Sequence, residues 1–240
     1  KMIGMVGFSG TGKTFSLRNL PPEQVAIVSP YKLDLPFPGA DVNFSVYSEE
    51  NSSGNIMKVP DLASIPAWVE YFAGTGKRYI VVDDITHGIN NYIMDPAFRA
   101  RGKTKESWAR WEDMAADVYT SLIRMSDTLD NDVWLIMMFH PESFMGKNGE
   151  ELKLRTPGKL LEEKIDIPSY FTYMLYTTVD QYDKEKPKPA EERYKFVTNN
   201  DGYAPAKMPP GCVDDMYVSN DLYEIVKGIT AYRLGITKAE

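Results

Sequence analysis

Gly7–Thr14, reading GFSGTGKT, decides how the rest of the chain is read. Gly7, Gly12, Lys13 and Thr14 occupy the fixed positions of G-x-x-x-x-G-K-[ST]. Such a loop curls successive backbone N–H groups around a polyanion, which requires residues that tolerate positive φ and close backbone approach. Gly7, Gly10 and Gly12 supply that tolerance, and Ser9, Thr11 and Phe15 complete the phosphate-binding stretch. Lys13 is placed to reach the β- and γ-phosphates, and the Thr14 hydroxyl to ligate Mg²⁺. The flanks agree. Met2–Val6 is an apolar run that reads as a buried strand. Phe15–Leu20 reads as a short helix whose N-terminus favours phosphate, and Pro21-Pro22 ends it.

Composition bounds the alternatives. A chain of 240 residues with 43% hydrophobic content can bury one sizeable core, which predicts one α/β domain: a core over 1–142 and an extension over 143–240. The formal net charge of −7 gives no global basic field for nucleic acid, although a local basic groove remains compatible with it. The single cysteine, Cys212, excludes an internal disulfide framework, fits a reducing compartment and suits a buried structural thiol. Two histidines and one cysteine argue against a His/Cys zinc site. The longest apolar stretches, such as Val133–Phe139, are too short to span a bilayer, and no signal-peptide pattern opens the chain. A cytoplasmic protein, with little preceding the core, is expected.

No internal repeat is present. Gln24–Ser29 reads as a second strand and Val42–Tyr47 as a short one, with Glu49–Asn55 an exposed polar loop. Helical spacing runs over Asp61–Gly74, and Tyr79–Val82 is a continuous apolar run suited to a buried parallel strand. A loop rich in Arg and Lys enters a long helix near Ser107 that ends near Asp127. Val133–Phe139 is another buried strand, Lys147-Asn148-Gly149 a turn, Lys153–Arg155 a strand and Lys159–Ile165 a short helix. Tyr170–Thr178 and Arg193–Thr198 then predict a β-hairpin with a long, disordered tip over Asp183–Glu192. Asn220–Tyr232 closes the chain as an amphipathic helix with Leu222, Ile225, Val226, Ile229 and Tyr232 inward. The order predicts a mostly parallel sheet flanked by helices, with an antiparallel C-terminal hairpin.

The chemistry collects at strand ends. Tyr79–Asp84 (YIVVDD) supplies the acid that a P-loop needs opposite its threonine. Asp83 is the Mg²⁺-side carboxylate. Asp84 is placed either to polarise the attacking water or to cap the turn before Ile85-Thr86. His140 follows the next buried strand and comes near the γ-phosphate if that strand neighbours the Asp83 strand; the alternative is a strand-end histidine bonded to local backbone. His87 reads as a surface or capping residue. Arg99, Arg101, Lys103, Lys105 and Arg110, with Trp108 and Trp111, present cations and aromatics of the kind that hold single-stranded nucleic acid. Both tryptophans also fit the inward face of their helix, which favours packing. Lys207, in APAKMPP, is a rigidly presented cation, suited to act in trans on a neighbour's γ-phosphate or to lie exposed in a bend.

In this order, GFSGTGKT, YIVVDDIT, the W-A-R-W helix before a strand ending MMFH, the late hairpin and AKMPPG resemble the phage-type P-loop ATPases related to RecA, including the single-strand-annealing recombinases of bacteriophages. The resemblance spans nearly the whole chain. It implies a RecA-like core, Mg-ATP hydrolysis, homo-oligomer or filament formation, and action on single-stranded DNA, with a single-strand-binding protein as a possible partner. It marks Gly7–Thr14 for phosphates and Mg²⁺, Asp83 for Mg²⁺, His140 as γ-phosphate sensor and Lys207 as trans finger. One departure stands out. RecA has a catalytic glutamate just after the strand that follows the P-loop helix, whereas this chain has Ser29-Pro30-Tyr31. Hydrolysis then falls to Asp84, to Glu49 or Glu50, or is slow. Two rival readings share the motif: a nucleotide or small-molecule kinase with Arg99, Arg101 and Arg110 in a lid, and a non-hydrolysing, nucleotide-gated assembly or loading module.

Overall fold

The computed structural model describes residues 1–59, 61–88, 104–147, 149–155, 166–180 and 184–236. Its strands are β1 (Met2–Val6), β2 (Val25–Ser29), β3 (Ile56–Lys58), β4 (Tyr79–Val82), β5 (Trp134–Phe139), β6 (Pro141–Gly146), β7 (Gly149–Leu154), β8 (Tyr173–Val179), β9 (Tyr194–Val197) and β10 (Tyr217–Ser219). The helices are α1 (Ala40–Asn43), α2 (Ile65–Gly74), α3 (Lys105–Thr128), α4 (Ala190–Arg193) and α5 (Leu222–Arg233). An eight-stranded sheet runs in the order β10-β9-β8-β1-β5-β4-β2-β3. The strands from β8 through β3 are parallel, and β9 and β10 continue the sheet antiparallel. The fold is therefore α/β, with a mostly parallel sheet and antiparallel C-terminal strands.

Strand alternation explains the two-sided core, because successive side chains leave a strand on opposite faces. Val6, Ile80, Val82, Leu135, Met137 and Phe139 pack on one face with Ile65, Val69 and Phe72 of α2 and Val118, Tyr119 and Leu122 of α3. Ile3, Met5, Val81, Ile136 and Met138 pack on the other with Leu17 and with Leu222, Ile225, Val226 and Ile229 of α5. Both faces are covered, so the central strands read as unbroken apolar runs. α5 starts where the Asp221 carboxylate accepts from the Tyr223 and Glu224 amides at 3.0 and 3.4 Å.

Several expectations change. The stretch after the loop is one 3₁₀ turn, Thr14–Leu17, and not a helix over Phe15–Leu20. The Pro21-Pro22 pair lies too close for an α-helix to propagate, and Pro22–Gln24 forms a second such turn. Val42–Tyr47 is not a strand. Val42 lies in α1, and Val46 makes only an isolated bridge to Ile56. Asn55, at the end of the expected exposed loop, is buried, because its side chain accepts from the Ser45 amide and donates to the Pro22 and Asn43 carbonyls. The long helix starts at Lys105, and the Lys153–Arg155 strand belongs to a hairpin of β6 and β7. Of the expected disordered tip, Asp183 lies outside the described residues, Ala190–Glu192 fall in α4, and Lys188 contacts Asp180 at 3.0 Å. Tyr232 faces outward, while Cys212 is buried as expected. Arg99, Arg101, Lys103 and the Lys159–Ile165 helix lie outside the described residues, as do the side chains of Trp108, Arg110 and Trp111.

Candidate nucleotide site

In a parallel sheet the carboxyl ends of all strands share one edge, and ligands of α/β proteins sit there. β1 ends in the glycine-rich loop, β4 in Asp83 and Asp84, and β5 in His140. Because β5 lies between β1 and β4, these loops meet across one strand width. They line a cleft of about 640 Å³ together with Tyr31, His87 and Tyr194.

The loop is held by local bonds. The Gly7 amide donates to Phe139 O at 3.1 Å, tying it to β5. Thr11 Oγ1 donates to Phe8 O at 2.7 Å and lies 2.5 Å from Thr177 Oγ1 on β8. Gly10 and Gly12 have φ of 79° and 99°, the left-handed region that a side chain disfavours. Ser9 and Gly10 are exposed, whereas Thr11, Gly12, Thr14 and Phe15 are partly covered. Phe15 packs against Tyr194 at 5.3 Å between ring centroids.

Lys13 is 8% exposed, and its ammonium donates to Gly7 O at 2.6 Å and Phe8 O at 3.3 Å. Burial lowers its pKa, while the charges of Asp84 and Asp83 oppose that shift. Thr14 Oγ1 donates to Asp83 Oδ2 at 3.3 Å, and the Tyr31 hydroxyl to Asp83 Oδ1 at 3.4 Å. Burial and then the neighbouring Asp84 push the Asp83 carboxyl up to about 6, against the pull of Lys13 and these two hydrogen bonds. Burial, with Asp83 and Asp84 beside it, also raises the Tyr31 phenol.

Asp84 caps the turn that follows it and also reaches across to β5. Its Oδ1 accepts from the His87 amide at 3.3 Å, capping the turn over residues 85–88. Its Oδ2 meets His140 Nε2 at 2.6 Å. His140 is thus bonded to a carboxylate, not to local backbone. His87 is exposed and lies in the cleft wall, 5.9 Å from the His140 ring. Both histidines come together with Asp84, a grouping that the sequence reading did not single out.

Other expected residues stay apart. Glu49 and Glu50 are exposed and do not line the cleft. Lys207 is exposed and also outside its own cleft. Its backbone exchanges hydrogen bonds with Met174 at 2.8 Å, and its ammonium donates to Pro168 O at 3.4 Å. Tyr31, Thr177 and Tyr194 were not picked out from the sequence. Only the sheet order brings Thr177 and Tyr194 to the loop, whereas Asp84 and His87 are three residues apart and share a helical face that spacing could have revealed.

Thr14 and Asp83 fit a hard dication. Both offer oxygen, and Asp83 is 1% exposed with only long hydrogen bonds at 3.3 and 3.4 Å, so its buried charge is weakly compensated. Among the described residues no helix is long and apolar enough to cross a membrane. No protein-family model matches the chain, and no curated protein sequence does. Among solved structures, the chain is similar to a KaiC-like protein from the hyperthermophilic archaeon Pyrococcus horikoshii. Identity is 13% and the TM-score 0.43, over 91% of this chain and 83% of that one.

Proposed function

We propose that the chain is a RecA-like, Mg²⁺-dependent ATPase that acts on single-stranded DNA as a cytoplasmic homo-oligomer in phage recombination or replication. The observation that carries the nucleotide reading is the approach of Thr14 Oγ1 to Asp83 Oδ2, 3.3 Å, at the mouth of a glycine-rich loop. In this reading the backbone amides of Gly10–Thr14 hold the phosphates and Lys13 neutralises the terminal ones. Thr14 and Asp83 would hold Mg²⁺, which would offset the charge on the phosphates. His140, oriented by Asp84, donates to the terminal phosphate and reports its presence. β2 runs into Ser29-Pro30-Tyr31, with no acid where RecA carries its glutamate, so intrinsic turnover is slow. The DNA and recombination part rests on the order of motifs, and Lys207 acts from a neighbouring subunit.

The test is phosphate release from Mg-ATP with and without single-stranded DNA, at low and moderate salt, with Lys13→Ala as control. DNA stimulation that fades with salt supports the full reading. Turnover indifferent to DNA removes the recombination part. No ATP binding by the parent chain overturns the whole.

A further inference from the structure

We propose that Asp84, His87 and His140 form a binding site for a first-row transition dication of the zinc class, beside and distinct from the Thr14–Asp83 position. Three ligand atoms, one from each residue, lie within 4.8 Å of one another. Asp84 Oδ2 and His140 Nε2 are already 2.6 Å apart. Ligands at about 2.0–2.1 Å from a tetrahedral ion stand about 3.3 Å from each other. Small side-chain rotations carry the present spacings to that value.

Each ligand is already oriented. Asp84 Oδ1 accepts from the His87 amide, which turns Oδ2 toward the histidines. The Tyr31 ring packs edge-on against the His87 ring at 5.7 Å between centroids. Two imidazoles and one carboxylate suit zinc-class ions, whereas Mg²⁺ prefers oxygen alone. The adjacent aspartates therefore sort two ions by ligand softness: Asp83 with the Thr14 hydroxyl, Asp84 with imidazoles. Three protein ligands leave a fourth position for water, as in open zinc sites. The three residues line the same cleft as Lys13, so that water faces the cleft, on the side where Tyr31 supplies no acid.

The test is a Co²⁺ titration of the untagged full chain, without nucleotide and with excess Mg²⁺, followed by visible d–d absorption and Zn²⁺ competition. It is independent of the ATP reading, because no nucleotide is present. The chain has two histidines, both in this site, and its one cysteine is buried, so imidazole ligation of Co²⁺ has one source. The expected result is saturation at one Co²⁺ per chain. His87→Ala and His140→Ala should each weaken binding about tenfold or more, and Thr14→Ala should leave it unchanged. His87 is exposed, so its variant decides the matter even if His140→Ala fails to fold. No saturable absorption in the parent chain, affinity undiminished in His87→Ala, or an equal loss in Thr14→Ala would overturn the proposal.

Discussion

His140 Nε2 lies 2.6 Å from Asp84 Oδ2, joining the tips of the neighbouring strands β5 and β4 at the mouth of the cleft. The Asp84 side chain is 3% exposed, so removing its partner strands a buried carboxylate oxygen. His140→Ala should cost about 1–3 kcal/mol of stability, read from the denaturant midpoint. His140→Gln should recover part of that loss. If His140 senses the terminal phosphate, kcat should fall in His140→Ala with KM little changed.

Gly7 leaves no room for a side chain. A Cβ there would collide with the Thr177 hydroxyl and lie 2.7 Å from Thr11 Oγ1. Gly7→Ala should destabilise the protein by about 1–3 kcal/mol and weaken ATP binding, because the loop must lift off β8. Thr177→Ala removes the main obstacle. The double variant should therefore be less impaired than the two single effects summed, in both unfolding and binding measurements.

Lys207 makes no contact with its own cleft, so its proposed role requires a second subunit. Specific ATPase activity of the parent chain should rise with protein concentration, and that of Lys207→Ala should stay low. Mixing Lys207→Ala with Lys13→Ala chains should restore activity, because a mixed interface pairs an intact loop with an intact lysine. Parent-like activity of Lys207→Ala at every concentration would remove the trans role.

Asp201 links acid stability to the segment before Lys207. Partial burial pushes its carboxyl up, but hydrogen bonds from the Ala204 amide, the Tyr217 hydroxyl and the Tyr203 amide outweigh this and hold it below the usual carboxylate range. With the folded value depressed, the stabilisation is present above the unfolded value of about 3.9 and is lost as pH falls through the folded one. Asp201→Asn should lower the unfolding midpoint near neutral pH. The difference from the parent chain should shrink in this acid window.

The loop and its acids were legible from residues alone. GFSGTGKT after an apolar run, and YIVV before two aspartates, specify strand ends by local rules of spacing and glycine tolerance. The buried strands were equally plain, because a strand covered on both faces is apolar at every position. Where local signals were weak, the reading slipped. Val42–Tyr47 has strand-like residues but lacks a full partner, and Phe15–Leu20 is too short to complete a helix before the prolines. Strand neighbours are set by long-range pairing, and no local pattern encodes that β5 sits between β1 and β4. The amino-acid sequence by itself determined the glycine-rich loop, the acidic strand end and the apolar centre of an α/β sheet. Only the tertiary structure decided that Asp84, His87 and His140 meet in one cleft, that Thr177 roofs Gly7, and that Lys207 stands apart. Those contacts depend on sheet order, which is fixed by burying both faces of the sheet at once.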